Sequence, residues 1–478
     1  MSKTVKTAIL YLIAAIFVAI GLYFVVHKNN YIFFALPAVL GILLLYIFSL
    51  DKVLLLIAFV TPLSINMEDS GLALSLPAEP MLFGVLIIFL AKLLYEGKFD
   101  NKIASHPISI IIYAMFTWMI FTTITSEIPL VSIKYIISRL WFIVPAYFLC
   151  AVFFKDIKNI NRFVWFYIAG LIIVIIYTTI HHFLNDFSGQ SAHWVMKPFY
   201  NDHTAYGAAL AIYIVFCAAY IIYPKINRAK RTTAFVAFVL LSVAIILSFC
   251  RASWLSIVAM TGVLVCVLLK IKFRWIFIAA VIMIGLFFTF QHQISIILER
   301  NDQDAKGNIV EHIQSISNIS TDASNLERIN RWNSAIRLFQ ERPVFGWGPG
   351  TYQFVYAPYQ LSKNRTIIST NAGDGGNAHS EYIGALAEMG IIGSLLVVAL
   401  VIVGVYKGLT TYKRAKNKES KILVLAATLA IIGYFTHGVL NNFLDTDKLS
   451  IPIWSCFAII TAIDLFHADK KDVSEITE

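Results

Sequence analysis

His379, in Asn377-Ala-His379-Ser380-Glu381-Tyr382, stands where a long polar stretch gives way to an apolar run. A histidine side chain has an unperturbed pKa near ~6.5 and can exchange a proton close to neutral pH. Glu388 follows about 13 Å further along if the run is helical at roughly 1.5 Å per residue. An ionisable residue at that depth is costly, so Glu388 must face a bundle interior or pair with a buried polar neighbour. Arg251, in Ser248-Phe-Cys-Arg251-Ala-Ser-Trp254, joins two almost wholly apolar runs. It either snorkels toward lipid headgroups or binds a fixed anion. Arg328 and Arg331 fall in the first two turns of a helix that the spacing predicts from Ser324. Ser324 to Glu327 has the S-x-x-E capping spacing, Leu326, Ile329, Trp332, Ile336 and Phe339 recur at three- and four-residue steps, and Pro343 marks the end. Helix dipole and free N–H groups favour an anion there, so two arginines suit a phosphate; the alternative is that both are solvated surface charges.

Other motifs carry less. Pro343-Val-Phe-Gly-Trp-Gly-Pro-Gly350 has glycines for a tight turn, yet no strand leads in and no helix follows where a dinucleotide fingerprint needs one. Asp302-Gln-Asp304 invites a cation, but Lys306 and Ile313 occupy ligand positions of the calcium-loop template, and a solvated loop is the better reading. Cys150, Cys217, Cys250, Cys266 and Cys456 sit in or beside apolar runs without metal-ligand spacing. No metal site and no cofactor is expected.

The elements that must position these residues are membrane spans. Of 478 residues, 59% are hydrophobic and 14% charged, against roughly 25% charged in soluble domains. The net charge of +10 is not gathered into an aromatic-interleaved stripe, so nucleic acid is not a partner. About fourteen runs approach the roughly 20 residues that cross a bilayer. They lie near 7–26, 31–50, 51–66, 77–95, 107–125, 132–154, 160–184, 203–224, 232–250, 252–270, 274–291, 382–407, 421–441 and 449–466. The third is short enough to be re-entrant, so the expected fold is an all-α polytopic membrane protein with about 12–14 spans. Residues 1–291 would hold about eleven spans, 292–381 one large polar loop containing helices, 382–466 three further spans and 467–478 a tail.

Lys and Arg alternate along the connections. Lys92, Lys98 and Lys102, then Lys225, Arg228, Lys230 and Arg231, then Lys413, Arg414 and Lys416 fall on one side, whereas Lys28, Lys197 and Lys448 stand nearly alone on the other. The basic side is cytoplasmic by the positive-inside rule, which puts both termini inside and the 292–381 loop outside. Arg251, Arg328 and His379 then share the outer face.

These residues resemble a family. The Ser-x-x-Arg-Ala-Ser-Trp turn, Glu-Arg-x-x-x-Trp-x-x-Ala at 327–335, Pro-x-Phe-Gly-x-Gly-x-Gly and His-Ser followed by Gly390-x-x-Gly393 are similar to the O-antigen ligase and polymerase superfamily, over roughly residues 200–410. The resemblance implies a GT-C-like membrane fold and a metal-independent, inverting glycosyltransferase. It implies a site at the periplasmic face of the bacterial inner membrane and an undecaprenyl-pyrophosphate-linked glycan as donor. It makes His379 the candidate base and gives Arg251 and Arg328 the pyrophosphate. Asp202, His203 and Tyr206 occupy a region where relatives carry a polar patch, and Lys134 and Arg139 are further candidates for lipid phosphate, with snorkelling as the alternative.

A glycosyl pyrophosphate already has a good leaving group, so such an enzyme must neutralise developing negative charge and activate an acceptor hydroxyl. Arginines suit the first task and a histidine the second. Ligation to lipid A-core is the leading reading. A polymerase joining lipid-linked repeat units, and a flippase for lipid-linked oligosaccharide, are the alternatives, the last weakened because internal repeats and midplane polar helices are missing from the sequence.

Overall fold

Apolar runs of this length must satisfy their backbone internally, and in a computed structural model of the protein they are helices. The structure describes residues 48–67, 74–223, 226–272, 323–362 and 376–468, with isolated positions between 17 and 46 and between 274 and 282. Its helices are α1 (Leu50–Val60), α2 (Ala78–Glu96), α3 (Pro107–Ile124), α4 (Pro129–Phe153), α5 (Ile157–Phe183), α6 (His203–Ile222), α7 (Arg228–Leu247), α8 (Arg251–Leu268), α9 (Ala323–Glu341), α10 (Glu381–Arg414), α11 (Lys418–His437) and α12 (Asp447–Phe466). Among the described residues ten of these, α2 to α8 and α10 to α12, are long and apolar enough to cross a membrane.

The starts are written locally. Asp156, Asp202, Asn227, Ser380 and Asn417 accept backbone N–H bonds as N-caps of α5, α6, α7, α10 and α11, and proline opens α3 and α4, where no N–H is needed. Pro145 inside α4 lacks a donor, and the helix widens into a π-turn over Val144–Leu149.

Two expectations change. The run at 51–66 is not a span: α1 stops after eleven residues at Thr61-Pro62, and Ile65–Asn66 then pairs antiparallel with Ser75–Leu76. The helix expected from Ser324 already includes Ala323, and Glu327 binds Arg331 instead of serving only as a capping partner. The expected runs 7–26, 31–50 and 274–291, the Asp302/Asp304 pair and the end of the tail fall wholly or largely outside the described residues.

The chain divides into two compact units, Met1–Leu56 and Ile57–Glu478. In the second, α12 is the central helix, buried along nearly its whole length and packed by α6, α11 and α4. Tyr167 of α5 stacks on Tyr213 of α6 at 4.2 Å beside it. Ile110, Phe235, Val236, Leu255 and Val258 stay exposed on the outer helices, as a surface facing lipid requires. At one end of the bundle Asp464 gathers His106, Lys407, Thr411 and Arg414. The opposite end holds the starts of α6, α8, α10 and α12.

α9 joins the bundle at that opposite end through a break in α10. Gly390 has φ 65° and ψ −168°, a backbone conformation open essentially to glycine alone. The turn at 343–350, with positive φ at Gly346, Gly348 and Gly350, enters the break. Trp347 N donates to Ala387 O at 3.1 Å, Gly348 N to Glu388 O at 2.9 Å and Ile391 N to Pro343 O at 2.9 Å. Trp118 Nε1 donates to Met389 O at 2.8 Å. A Cβ at Gly390 would stand 2.0 Å from Val344 O, whereas one at Gly262 meets nothing within 4 Å. Gly390→Ala should therefore cost at least about 3 kcal/mol and expose the 343–350 turn to protease, with Gly262→Ala within about 0.5 kcal/mol of the parent; thermal unfolding in nanodiscs and limited proteolysis measure both.

Candidate active site

The segment 376–380 carries His379 in a strained conformation, φ 48°, which a non-glycine residue keeps only when its surroundings over-determine it. They do so here. Arg331 Nη1 donates to Asn377 O at 3.0 Å, His379 N donates to Asn377 Oδ1 at 3.1 Å, and Trp332 Nε1 approaches His379 O at 3.5 Å. Ser380 caps α10 and donates to Gly438 O at 3.4 Å. Glu381 extends the anchoring: its Oε1 accepts from Tyr434 OH at 2.6 Å, Phe443 N at 2.9 Å and Leu444 N at 3.0 Å. Burial, and after it the guanidinium charges of Arg331 and Arg328, push the His379 imidazole down to about 3. The ring is therefore neutral at pH 7, with Asp202 as an opposing favourable charge.

Arg328 Nε donates to Leu440 O at 3.2 Å, on the same 438–444 connection that seats Ser380 and Glu381. Arg251 is the first residue of α8, whose N-cap, Cys250, makes no side-chain capping hydrogen bond. A guanidinium and a helix N-terminus thus coincide, both favouring an anion. Arg251 and Arg328 both interact electrostatically with His203, and Arg328 with His379, so the three residues singled out by sequence share one neighbourhood.

The structure sorts the remaining candidates. Asp202 Oδ1 accepts from Thr204 N, Thr204 Oγ1 and Ala205 N at 2.6–2.9 Å; burial opposes its ionisation, but these bonds outweigh it and hold the carboxyl below its ordinary range. His203 Nδ1 lies 3.0 Å from His193 Nδ1. Tyr206 is buried in helix packing, edge-on to Tyr200 at 5.5 Å. Arg331 is held between Glu327 Oε1 at 2.8 Å and the Asn377 carbonyl, with Tyr356 beneath it at 5.4 Å, so it braces the His379 segment. Glu388 accepts from Tyr352 N at 3.1 Å, the buried-neighbour alternative that its sequence position left open. Arg139 binds Tyr135 OH and the Leu444 carbonyl. Lys134 is exposed and, with Arg139, lines a cavity of about 910 Å³ that reaches Ala378 and Ser380 on either side of His379.

Sequence reasoning missed His193 and His437 and read Cys250 only as a packing residue. His437, at the end of α11, is buried with Nε2 3.7 Å from Cys250 Sγ and with no partner for Nδ1 among the described residues. Its only sequence signal was its place at the outer end of an expected span. Among the described residues no group of three or more His, Cys, Asp or Glu is arranged to hold a metal ion.

An all-α bundle with ten helices long and apolar enough to cross a bilayer defines an integral membrane protein. Residues 236–398 match the family model for O-antigen ligase, a stretch that contains Arg251, Arg328 and His379. The chain is also similar to an uncharacterized protein of Haemophilus influenzae, 23% identical over 233 residues, which cover 47% of this chain and 56% of the relative. The chain thus spans about half the length of that curated relative.

Glu327 is 3% exposed and Arg331 7%, so removing one charge strands the other. Arg331→Met should destabilise the protein by roughly 3–5 kcal/mol and Arg331→Met with Glu327→Gln by clearly less, a recovery that thermal unfolding of the two variants will register.

Proposed function

We propose that the protein transfers glycan from a polyprenyl pyrophosphate to an acceptor hydroxyl by a single inverting displacement, at the outer face of the cytoplasmic membrane, with lipid A-core as acceptor. The observation that carries this reading is a neutral imidazole, His379, held beside Arg328 within the family-matched region. The acceptor oxygen attacks the anomeric carbon as the bond to the pyrophosphate oxygen breaks. The acceptor proton passes to His379, and the electron pair leaves with the pyrophosphate. Arg251, Arg328 and the uncapped start of α8 stabilise the charge that grows on the leaving group. The outer placement is supported by charge: the end opposite the site carries Lys92, Lys155, Lys407 and Arg414.

The test is transfer by full-length protein in nanodiscs, supplied with lipid-linked donor and with lipid A-core or a second lipid-linked glycan as rival acceptors. His379→Ala should lose roughly 10²–10⁴-fold in kcat, and Arg328→Ala and Arg251→Ala roughly 10²–10³-fold each. Wild-type rates in both His379→Ala and Arg328→Ala would sink the enzyme reading; transfer only to the lipid-linked rival would make the protein a polymerase.

The pH profile follows from the sign of the imidazole shift. Positive neighbours disfavour protonated His379 in the free protein, so kcat/KM should show no acid limb near 6.5 and hold to within about threefold from pH 7 to pH 5. Bound pyrophosphate offsets the arginine charges and raises the pKa again, so kcat should fall at a higher pH than kcat/KM does. Coincident acid limbs near 6.5 in both would remove His379 from the base role.

A further inference from the structure

Two imidazoles meet where the connection from α5 enters α6. His193 Nδ1 and His203 Nδ1 are 3.0 Å apart, with the rings edge to face at 84°. His203 is the first residue of α6, seated by the Asp202 cap, and is half-buried, whereas His193 is exposed. Arg251 of α8, Arg328 of α9 and His437 of α11 interact electrostatically with His203, as does Asp202 beside it. One ring of the pair thus meets water and the other lies among the arginines.

The count of hydrogens decides what such a pair can offer. Two ring nitrogens at this distance need one hydrogen between them, so each Nδ1 is committed and only the Nε2 atoms remain for other partners. A neutral pair has two N–H groups, one in the bridge and one on Nε2 of the ring that accepts the bridge. If His203 donates the bridge, its Nε2 is a bare lone pair, which an anion avoids. If His193 donates it, His203 Nε2–H is a donor, and the bare Nε2 belongs to the exposed ring, where a further proton can enter from water. That proton gives an imidazolium–imidazole pair with N–H on both outer nitrogens. An anion beside Arg251 and Arg328 favours the second tautomer over the first, and the protonated pair over both, because each change brings positive charge toward it.

We propose that His193 and His203 form a proton-sharing pair that binds the pyrophosphate of the donor. His203 Nε2–H is a third ligand beside Arg251 and Arg328, and His193 is a positioning residue that fixes the tautomer of His203 and admits one proton from water as the anion arrives. The assignment rests on the transferase reading for its word donor. Arginine charge is permanent, whereas a charge that arrives with the ligand adds affinity without leaving a third fixed cation in the empty pocket.

The test uses the dimethyl diester of pyrophosphate, with one methyl on each phosphorus, which has two negative charges and no group of its own that titrates near neutrality. Its binding to full-length protein in nanodiscs of zwitterionic lipid is measured by calorimetry, in a His379→Ala background so that the catalytic base adds no titration. Affinity should rise about tenfold from pH 8 to pH 6. His203→Gln keeps an amide donor near the Nε2 position, and His193→Asn keeps a partner for the bridge, but neither amide takes up a proton. In each of these variants affinity should change by less than about twofold over the same range. Arg251→Ala should bind more weakly at every pH and keep the slope. No binding at any pH, no rise with both histidines present, or a rise that survives in both histidine variants overturns the pair, even where transfer from a lipid-linked donor is observed. The expected slope without transfer from any lipid-linked donor overturns the transferase reading and the word donor, while the anion-binding pair stands.

Discussion

Everything at the site end of the bundle depends on an exchange of backbone hydrogen bonds at Gly390. A helix broken within reach of the bilayer exposes amide and carbonyl groups that lipid cannot satisfy. The 343–350 turn supplies partners, with Trp347 and Gly348 reaching Ala387 and Glu388, and Pro343 receiving Ile391. The break therefore does not weaken α10; it is the socket that fixes α9. With α9 fixed, Arg331 reaches the Asn377 carbonyl and Arg328 reaches Leu440, so the His379 segment and the 438–444 connection are registered from one helix face.

Much of this was legible in the sequence because hydropathy and run length respond to the solvent that a helix faces. Ten of the expected spans are helices, and Lys407 and Arg414 meet Asp464 at the end away from the site. Residue chemistry at span ends was legible too: Arg251 interrupts apolar sequence, and His379 stands at a polar-to-apolar boundary, where an ionisable group needs a reason. The break at Gly390 was not, since the Gly390-x-x-Gly393 spacing reads equally as helix packing. Only the partner turn, some 40 residues earlier in the chain, tells which it is.

Arg331 shows why charge position alone underdetermines role. It shares the first turns of α9 with Arg328, and both looked suited to phosphate. Glu327 stands four residues before Arg331, a spacing that places the two on one helix face, and burial under the 376–380 segment turns that pair into a brace. Arg328, three residues earlier and half-buried, faces the pocket instead. His193 and His437 were missed for a related reason. Neither belongs to a recognisable motif, and only the closing of α6, α8 and α11 against one another brings His203, Cys250 and His437 into one neighbourhood.

The low pKa of His379 has a further meaning on the proposed reading. Arg331 and Arg328 act on it as positive neighbours and Asp202 and Glu327 as negative ones, while Arg251 acts on the nearby His203. Glu327 is already paired, and Asp202 has one oxygen committed to the start of α6. On the proposed reading a bound dianion adds negative charge beside these guanidinium groups. The same dianion raises the basicity of the imidazole at the moment an acceptor proton must be taken up. Donor binding and base activation become one electrostatic event, which makes an acceptor hydroxyl reactive only when a leaving group is already in place.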